Sequence, residues 1–439
     1  VSTAGEYLKR LNRYKTLRVK SCQSISGSVR VSGAKNSALP LLAASLLTEG
    51  LTLKDFPVLL DTLYAVEILS LLGKEVSPTE GVVSIRGEVK TYTVPSHLSA
   101  LFRGSVLFLG GLLGAIGRAK VAHPGGCPIG KRPIDQHLKF LESVGCTFSF
   151  EGEYIYVRLP RRVKSRRFRF DVITVTGTEN ALLTLAGLKG EFVLENCALE
   201  PEVLDLAEFL KKLGMGIEIE GRTFKVFNPS PESLRGKRIS HRIIPDRIEA
   251  GTFLVLGALL GEPLRVENVN PNHLGAILSL LKRVGAKLEV DKNSIKVERA
   301  ERIKPLKVRT EPYPGFPTDM QAQFMAMLSL ADGTSEIEET IFENRFRHAA
   351  ELSRMGADIE VKGRVATVRG VRTLKGARVN ATDLRASAAL VLAGLVAEGE
   401  TLIGNVGQLL RGYEKMEEKL KGLGCEVYLL EKDLKDMSP

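Results

Sequence analysis

Lys35, Arg103, Arg247 and Arg385 each sit in a short polar stretch just ahead of an apolar, helix-like run. The first N–H groups of a helix are unpaired and its dipole is positive there, so a cation at that end is unfavourable without an anion beside it. The same N–H groups attract phosphate and carboxylate. Such stretches fall at matching positions: Lys35-Asn36, Arg103, Thr176-Gly177-Thr178, Asp246-Arg247, Thr318-Asp319 and Asp383-Leu384-Arg385. Helix capping accounts for Thr318 and Asp383, but it leaves the four cations unexplained. They imply a site for small anions, with pairing to the protein's own acidic side chains as the plainer alternative.

A second constellation is the run His123-Pro124-Gly125-Gly126-Cys127-Pro128-Ile129-Gly130-Lys131-Arg132-Pro133. Its glycines and prolines predict an irregular, exposed loop. A thiol beside Lys131 and Arg132 is biased toward thiolate, which makes Cys127 a candidate functional group. Cys146, Cys197 and Cys425 instead stand at element boundaries, as inert buried thiols do. Asp319 is either a helix cap or, among so many cations, the base that takes a proton from a substrate hydroxyl. The basic run from Arg161 to Arg167 reads as a solvated loop, with nucleic-acid contact the lesser reading.

These residues must be placed by something, and the sequence shows a repeat. An apolar helical stretch, a Gly turn and a short strand recur as LLAASLLTEGLTLKDF, LFLGGLLGAIGRAKVAH, LLTLAGLKGEFVLENC, FLVLGALLGEPLRVENV, FMAMLSLADGTSEIEET and LVLAGLVAEGETLIGNV. An amphipathic helix follows each and stops at Gly73, Gly145, Gly214, Gly285, Gly356 or Gly424, spaced by 72, 69, 71, 71 and 68 residues. Glycine is the expected left-handed helix stop. Alternating segments such as KLEV-DKN-SIKVE then predict β-hairpins. The unit is helix, strand, helix, hairpin.

The last unit ends at CEVYLLEKD and lacks its second hairpin strand, whereas TLRVKSCQSISGSVRVS near the start carries strands with no preceding helix pair. A strand at one end of the chain can complete the unit left open at the other, so the early strands are expected to sit in the C-terminal lobe. Three units per lobe give two α/β domains, residues 35–244 for one and residues 1–34 plus 245–439 for the other. The chain would cross twice between them, at a natural hinge, with the anion site where the lobes face each other.

At 439 residues the chain suits two domains, and its 44% hydrophobic and 26% charged residues are globular values. No apolar run reaches the roughly 18 residues of a membrane span, and no signal-peptide core opens the chain, so a cytoplasmic protein is expected. Five scattered cysteines without a CxxC pair indicate neither zinc nor a disulfide framework. The formal charge of +11 admits nucleic acid, an acidic membrane face or small anions. With 6% aromatics, no Trp and no basic-aromatic interleaving, single-stranded nucleic acid is disfavoured.

Several long strings carry a resemblance: SGAKNSALPLLAASLL, PGGCPIGKRPID, PDRIEAGTF, FPTDMQAQF, FENRFRHAAELSRMGA, ATDLRASAALVLAG and RGYEKMEEKL. Through them the chain, from about Thr16 to Lys432, resembles the enolpyruvyl transferases that act on UDP-N-acetylglucosamine. The resemblance implies two inside-out α/β domains of three repeated units each. It also implies transfer of the enolpyruvyl group of phosphoenolpyruvate to the sugar 3-hydroxyl, with release of phosphate through a tetrahedral intermediate. No metal or organic cofactor is implied, and neither nucleic acid nor membrane; a monomer or weak homo-oligomer is expected. The step opens peptidoglycan synthesis and so bears on cell shape, cell cycle and division.

The same likeness implies roles residue by residue. Lys35 and Asn36 would contact the reacting substrates, Lys35 on the phosphoenolpyruvate phosphate. Cys127 would be the general acid at C3 and the point of attack of the epoxide fosfomycin. Arg132, Arg385 and Arg411 would clamp phosphate and carboxylate, with Arg103 and Arg345 adding positive field. Asp319 would meet the 3-hydroxyl and Asp383 would assist proton handling. Arg132, Pro133, Ile134, Asp135 and Gln136, with Ile173, Thr174, Val175, Thr176 and Ile341, resemble nucleotide-sugar binding segments. Val175, Pro128 and Gln408-Leu409-Leu410 depart from the family's common residues, which bears on affinity and loop motion rather than on the core chemistry. The shikimate-pathway enolpyruvyl transferase is the nearest rival; PGGCPIGKRP speaks against it, because that enzyme lacks the Cys loop. A non-catalytic anion- or nucleic-acid-binding protein gives no reason for Cys127, Asp319 and Asp383 to accompany the arginines.

Overall fold

A run that is apolar on every side of a helix has to be buried on every side. The computed structural model, which describes residues 3–122 and 133–439 (residue 3 without its side chain), places six such runs as helix cores. They are Lys35–Ala44, Leu107–Ile116, Val175–Leu185, Arg247–Leu260, Gln321–Leu328 and Leu384–Val396, each with nearly every residue buried. Close packing sets their composition. Gly110 donates its N–H to Asn180 Oδ1 at 2.6 Å, and a Cβ on Gly110 would come within 2.4 Å of that oxygen. Only glycine admits this approach of Leu107–Ile116 to Val175–Leu185.

The sheets lie outside these helices, which makes the architecture an inside-out α/β one. Six sheets of four strands are present among the described residues. In the sheet Arg167–Arg169, Gly190–Glu195, Thr223–Asn228, Gly216–Glu220, the first pair is parallel and the others antiparallel. The same order recurs around Arg118–Ala122, Thr334–Glu338 and Gly50–Phe56. The strand Thr16–Lys20 pairs with both Glu400–Gly404 and Val427–Leu430, supplying the hairpin strand that the last repeat lacks. The strand Ile25–Arg30 runs parallel to Gly261–Glu267 in the fourth repeat.

The amphipathic helices end at the six phased glycines, whose φ values of 108°, 102°, 115°, 108°, 96° and 91° for Gly73, Gly145, Gly214, Gly285, Gly356 and Gly424 are all left-handed. The shortest strands escaped the sequence reading. Each sheet has a fourth, parallel strand; Arg238–Arg242 and Ile25–Arg30 are five and six residues long, whereas Thr93–Val94, Arg167–Arg169, Lys307–Arg309 and Arg378–Asn380 have only two or three. Strands of two or three residues carry no readable alternation; the neighbouring strand imposes their conformation.

By packing, the chain divides into two compact units. One holds the described residues 3–7, 33–122 and 133–244, the other 8–32 and 245–439. Arg161 and Arg162 lie exposed, and Arg167 begins a strand with its guanidinium on Glu195 at 2.5 Å.

Candidate active site

Lys35 opens a buried helix in the first unit, and its ammonium has a partner. Lys35 Nζ lies 2.8 Å from Asp61 Oδ2, both side chains almost wholly buried. Pairing within the protein, the plainer reading of this cation, is thus present. Asn36 follows it, and Ser37 donates its hydroxyl to Asp205 Oδ2. Asp205 Oδ1 faces His241 Nε2 at 2.8 Å, and His241 Nδ1 faces Lys212 Nζ at 2.8 Å. A lysine ammonium can only donate, so Nδ1 accepts and Nε2–H donates to the carboxylate. The sequence reading missed Asp61, Asp205 and His241, since each lies on an element remote in sequence from the motif it supports.

Arg103 begins the turn Arg103–Val106, whose Gly104 backs onto Leu39 of the Lys35 helix. Its guanidinium donates to the carbonyl of Pro133 at 3.1 Å. Burial pushes Arg103 down to about 10, against the opposing pull of Asp135. Ile134 precedes the helix Asp135–Val144. Gln136 joins two of the expected segments: its amide nitrogen donates to Asp135 and Asp171, and its oxygen accepts the Asp171 N–H at 2.8 Å. His137 makes the second link, with Nε2 3.0 Å from Thr176 Oγ1. Burial, aided by Arg103, pushes His137 down to about 3, so the imidazole is neutral near pH 7. Ile173 to Thr176 are half-buried, Thr174 caps the helix Val175–Leu185 through Gly177 N–H, and Val175 is its first residue. Cys127, Pro128, Lys131 and Arg132 lie outside the described residues.

The second unit gathers Asp319, Arg345 and Arg385. Asp319 Oδ1 lies 2.9 Å from Arg345 Nη1 and Oδ2 lies 3.7 Å from Arg385 Nη2. Burial works to raise the Asp319 carboxyl, but Arg385, Arg345 and Arg247 overcome it and hold the group far below the usual carboxylate range. The carboxylate makes no cap bond to its short helix. Thr318, expected as a cap, is not one either: its hydroxyl donates to Glu339 Oε1 at 2.7 Å and accepts from Arg345 at 3.0 Å. Glu339, fully buried, also accepts from Thr310, Gln321 and the Ile341 N–H. That acidic hub fixes the turn carrying Asp319; nothing in its sequence setting, EIEET, distinguishes it from a strand-end charge.

Asp383 caps the helix Leu384–Val396, accepting from Arg385 N–H at 3.1 Å and Ala386 N–H at 3.0 Å. Asp246 caps Arg247–Leu260 in the same way. Arg385 stacks over the Tyr413 ring at 5.4 Å, and its Nη1 is buried without a hydrogen-bond partner among the described residues. A buried guanidinium donor in that state is costly until an acceptor arrives. Arg411, two residues before Tyr413, donates to Gln408 Oε1 at 3.1 Å. Ile341 is 36% exposed.

The fold agrees with what the chain is similar to. A family model described as EPSP synthase (3-phosphoshikimate 1-carboxyvinyltransferase) matches residues 19–420. A UDP-N-acetylglucosamine 1-carboxyvinyltransferase of Koribacter versatilis (strain Ellin345) is 49% identical over 408 residues, 91% of this chain and 93% of that protein. Its namesake in Anaeromyxobacter sp. (strain K) is 49% identical over 92% of this chain and 96% of its own. Among solved structures, the enolpyruvyl transferase NikO from Streptomyces tendae superposes with a TM-score of 0.85 at 25% identity, covering 94% of this chain and 99% of that one. Among the described residues, no helix is long and apolar enough to cross a membrane, and no group of three or more His, Cys, Asp or Glu is placed to hold a metal ion. Identity of this extent across nearly the whole of both chains shows that this chain belongs to the UDP-N-acetylglucosamine 1-carboxyvinyltransferase family of enolpyruvyl transferases.

Proposed function

We propose that the chain transfers the enolpyruvyl group of phosphoenolpyruvate to the 3-hydroxyl of UDP-N-acetylglucosamine, releasing phosphate. The geometry that carries this reading is the buried Arg385 with an open Nη1 donor beside the ionised Asp319. It offers an anion a donor and a hydroxyl an acceptor within one cluster.

In the addition step the sugar oxygen bonds to C2 of phosphoenolpyruvate while C3 takes a proton from the Cys127 thiol. In the elimination step C3 loses a proton and the C2–O bond to phosphate breaks, leaving the enolpyruvyl ether. Lys35, Arg132, Arg385 and Arg411 hold phosphate and carboxylate, with Arg103 and Arg345 adding positive field. Asp319 accepts the hydroxyl proton late, once attack on C2 has made that proton strongly acidic. A carboxylate so stabilised by cations is too weak a base to remove it earlier. Asp383 assists proton handling through the oxygen its capping bonds leave over. The segments Pro133 to Gln136 and Ile173 to Thr176, joined by Gln136 and His137, take the nucleotide. The step opens peptidoglycan synthesis, and a cytoplasmic location goes with this reading.

The test is phosphate release from phosphoenolpyruvate with UDP-N-acetylglucosamine, set against shikimate 3-phosphate as acceptor. Release is expected only with the nucleotide sugar; folded protein that releases none, or that prefers shikimate 3-phosphate, sinks the reading. Fosfomycin should add one mass equivalent to wild type and none to Cys127→Ser.

A further inference from the structure

Cys22 and Cys425 stand 403 residues apart in the chain, yet their sulfurs lie 3.9 Å from each other. Both flank one antiparallel pair, Thr16–Lys20 against Val427–Leu430, whose last register partners are Val19 and Val427. The Lys20 N–H bond to Glu426 O at 3.0 Å carries the pairing one step further. Cys22 therefore falls diagonally opposite Cys425, just beyond the end of the ladder. Backbone bonds fix both: Cys22 N–H to Leu395 O at 2.8 Å and Cys425 N–H to Leu420 O at 3.0 Å. The other cysteines among the described residues, Cys146 and Cys197, are buried in the other unit.

We propose that Cys22 and Cys425 are an oxidisable pair, a disulfide site that ties the first strand of the chain to the last repeat, with a hydroperoxide as oxidant. The sulfurs touch in the reduced form. A disulfide needs them at about 2.05 Å, an approach that side-chain rotation of Cys22, half-exposed in the loop between two strands, supplies. Cys22 is the thiol a peroxide reaches; Cys425 is buried, and burial pushes its thiol up to about 12. The Cys22 sulfur takes one oxygen from the hydroperoxide, becoming a sulfenic acid while the peroxide leaves as an alcohol or water. The Cys425 sulfur then attacks the Cys22 sulfur, forming S–S and expelling water. Two thiol hydrogens and two electrons are lost by the protein, and the peroxide O–O bond is reduced. Closing so long a loop restrains the unfolded chain.

The experiment treats the full chain with hydrogen peroxide, blocks remaining thiols with N-ethylmaleimide and maps non-reduced peptides by mass spectrometry. Expected is a peptide linking Cys22 to Cys425, two hydrogens lighter than the reduced pair. It should vanish on reduction and be absent from Cys22→Ser and from Cys425→Ser. Oxidised wild type should also melt roughly 5 °C above the reduced protein, with no such difference in Cys22→Ser. Cys22 trapped as sulfinic acid, both thiols still alkylated, or Cys22 crosslinked to a second molecule would each overturn the proposal. Cys22 is not buried, so its serine variant keeps the test open even where Cys425→Ser folds poorly.

Discussion

Asp319 meets Arg345 at 2.9 Å, the carboxylate side chain 26% exposed and the guanidinium side chain 6% exposed. Arg345 is held in turn by Thr318, and Thr318 by the buried Glu339. The most exposed member of this cluster is therefore Asp319, paired with two buried arginines, one of which is tied through Thr318 to a buried acidic hub.

Asp319→Asn should lower kcat/KM for phosphate release by about 100-fold or more. The sign of its stability effect follows from its depressed carboxyl. Stability from that group is present above the unfolded value near 4 and is lost as pH falls from there toward the folded value. Urea denaturation from pH 7 down to pH 3 should show a shallower acid loss in Asp319→Asn than in wild type. Equal acid dependence in both would mean the arginines do not hold the carboxylate as described.

Asp61→Asn removes the partner of a buried ammonium, and such losses cost about 3–5 kcal/mol. The variant should show a lowered urea midpoint. Lys35→Met with Asp61→Leu removes both charges and should recover most of that stability. It should nonetheless release no phosphate, since Lys35 is then gone.

Asp205 orients Ser37 in the first turn of the helix that carries Lys35 and Asn36. Asp205→Ala and Ser37→Ala each remove that bond, at about 1–3 kcal/mol where a buried group is left unsatisfied. Because they share one bond, the double variant should lose less than the sum of the singles, in urea midpoint and in kcat/KM alike. Strict additivity would assign the two residues independent roles.

Glu249, 2.5 Å from Lys419 and buried, is pushed up to about 7 by burial, against the pull of that lysine. A carboxyl raised in the folded state binds protons there that the unfolded chain has already released. Its contribution to stability is greatest below about pH 4 and declines as pH rises toward 7. Between pH 5 and 8, wild-type stability should fall more than that of Glu249→Gln, measured by urea unfolding at matched ionic strength.

Much of the fold was legible because the repeat is written in local terms. Six apolar runs demanded burial, six glycines stopped the helices that follow, and the open last unit required a strand from the start of the chain. The left-handed φ at every phased glycine and the pairing of Thr16–Lys20 with Val427–Leu430 follow from those residues. The shortest parallel strands were not legible, since two or three residues hold no periodicity.

The site divides along the same line. The sequence by itself determined which residues carry charge at helix starts, Lys35, Arg103, Arg247 and Arg385, because the N-terminal position is a local property of the chain. Only the tertiary structure decided their partners, since Asp61, Asp319 and Tyr413 come from other elements and the choice between a bound anion and an internal one is a matter of distance. The structure also separated the acidic residues: Asp383 spends one oxygen on a cap, whereas Asp319 caps nothing and faces arginines. Cys22 and Cys425, unremarkable in a scattered set of five, became neighbours for the same physical reason. A strand from one end of the chain had to finish the sheet left open at the other.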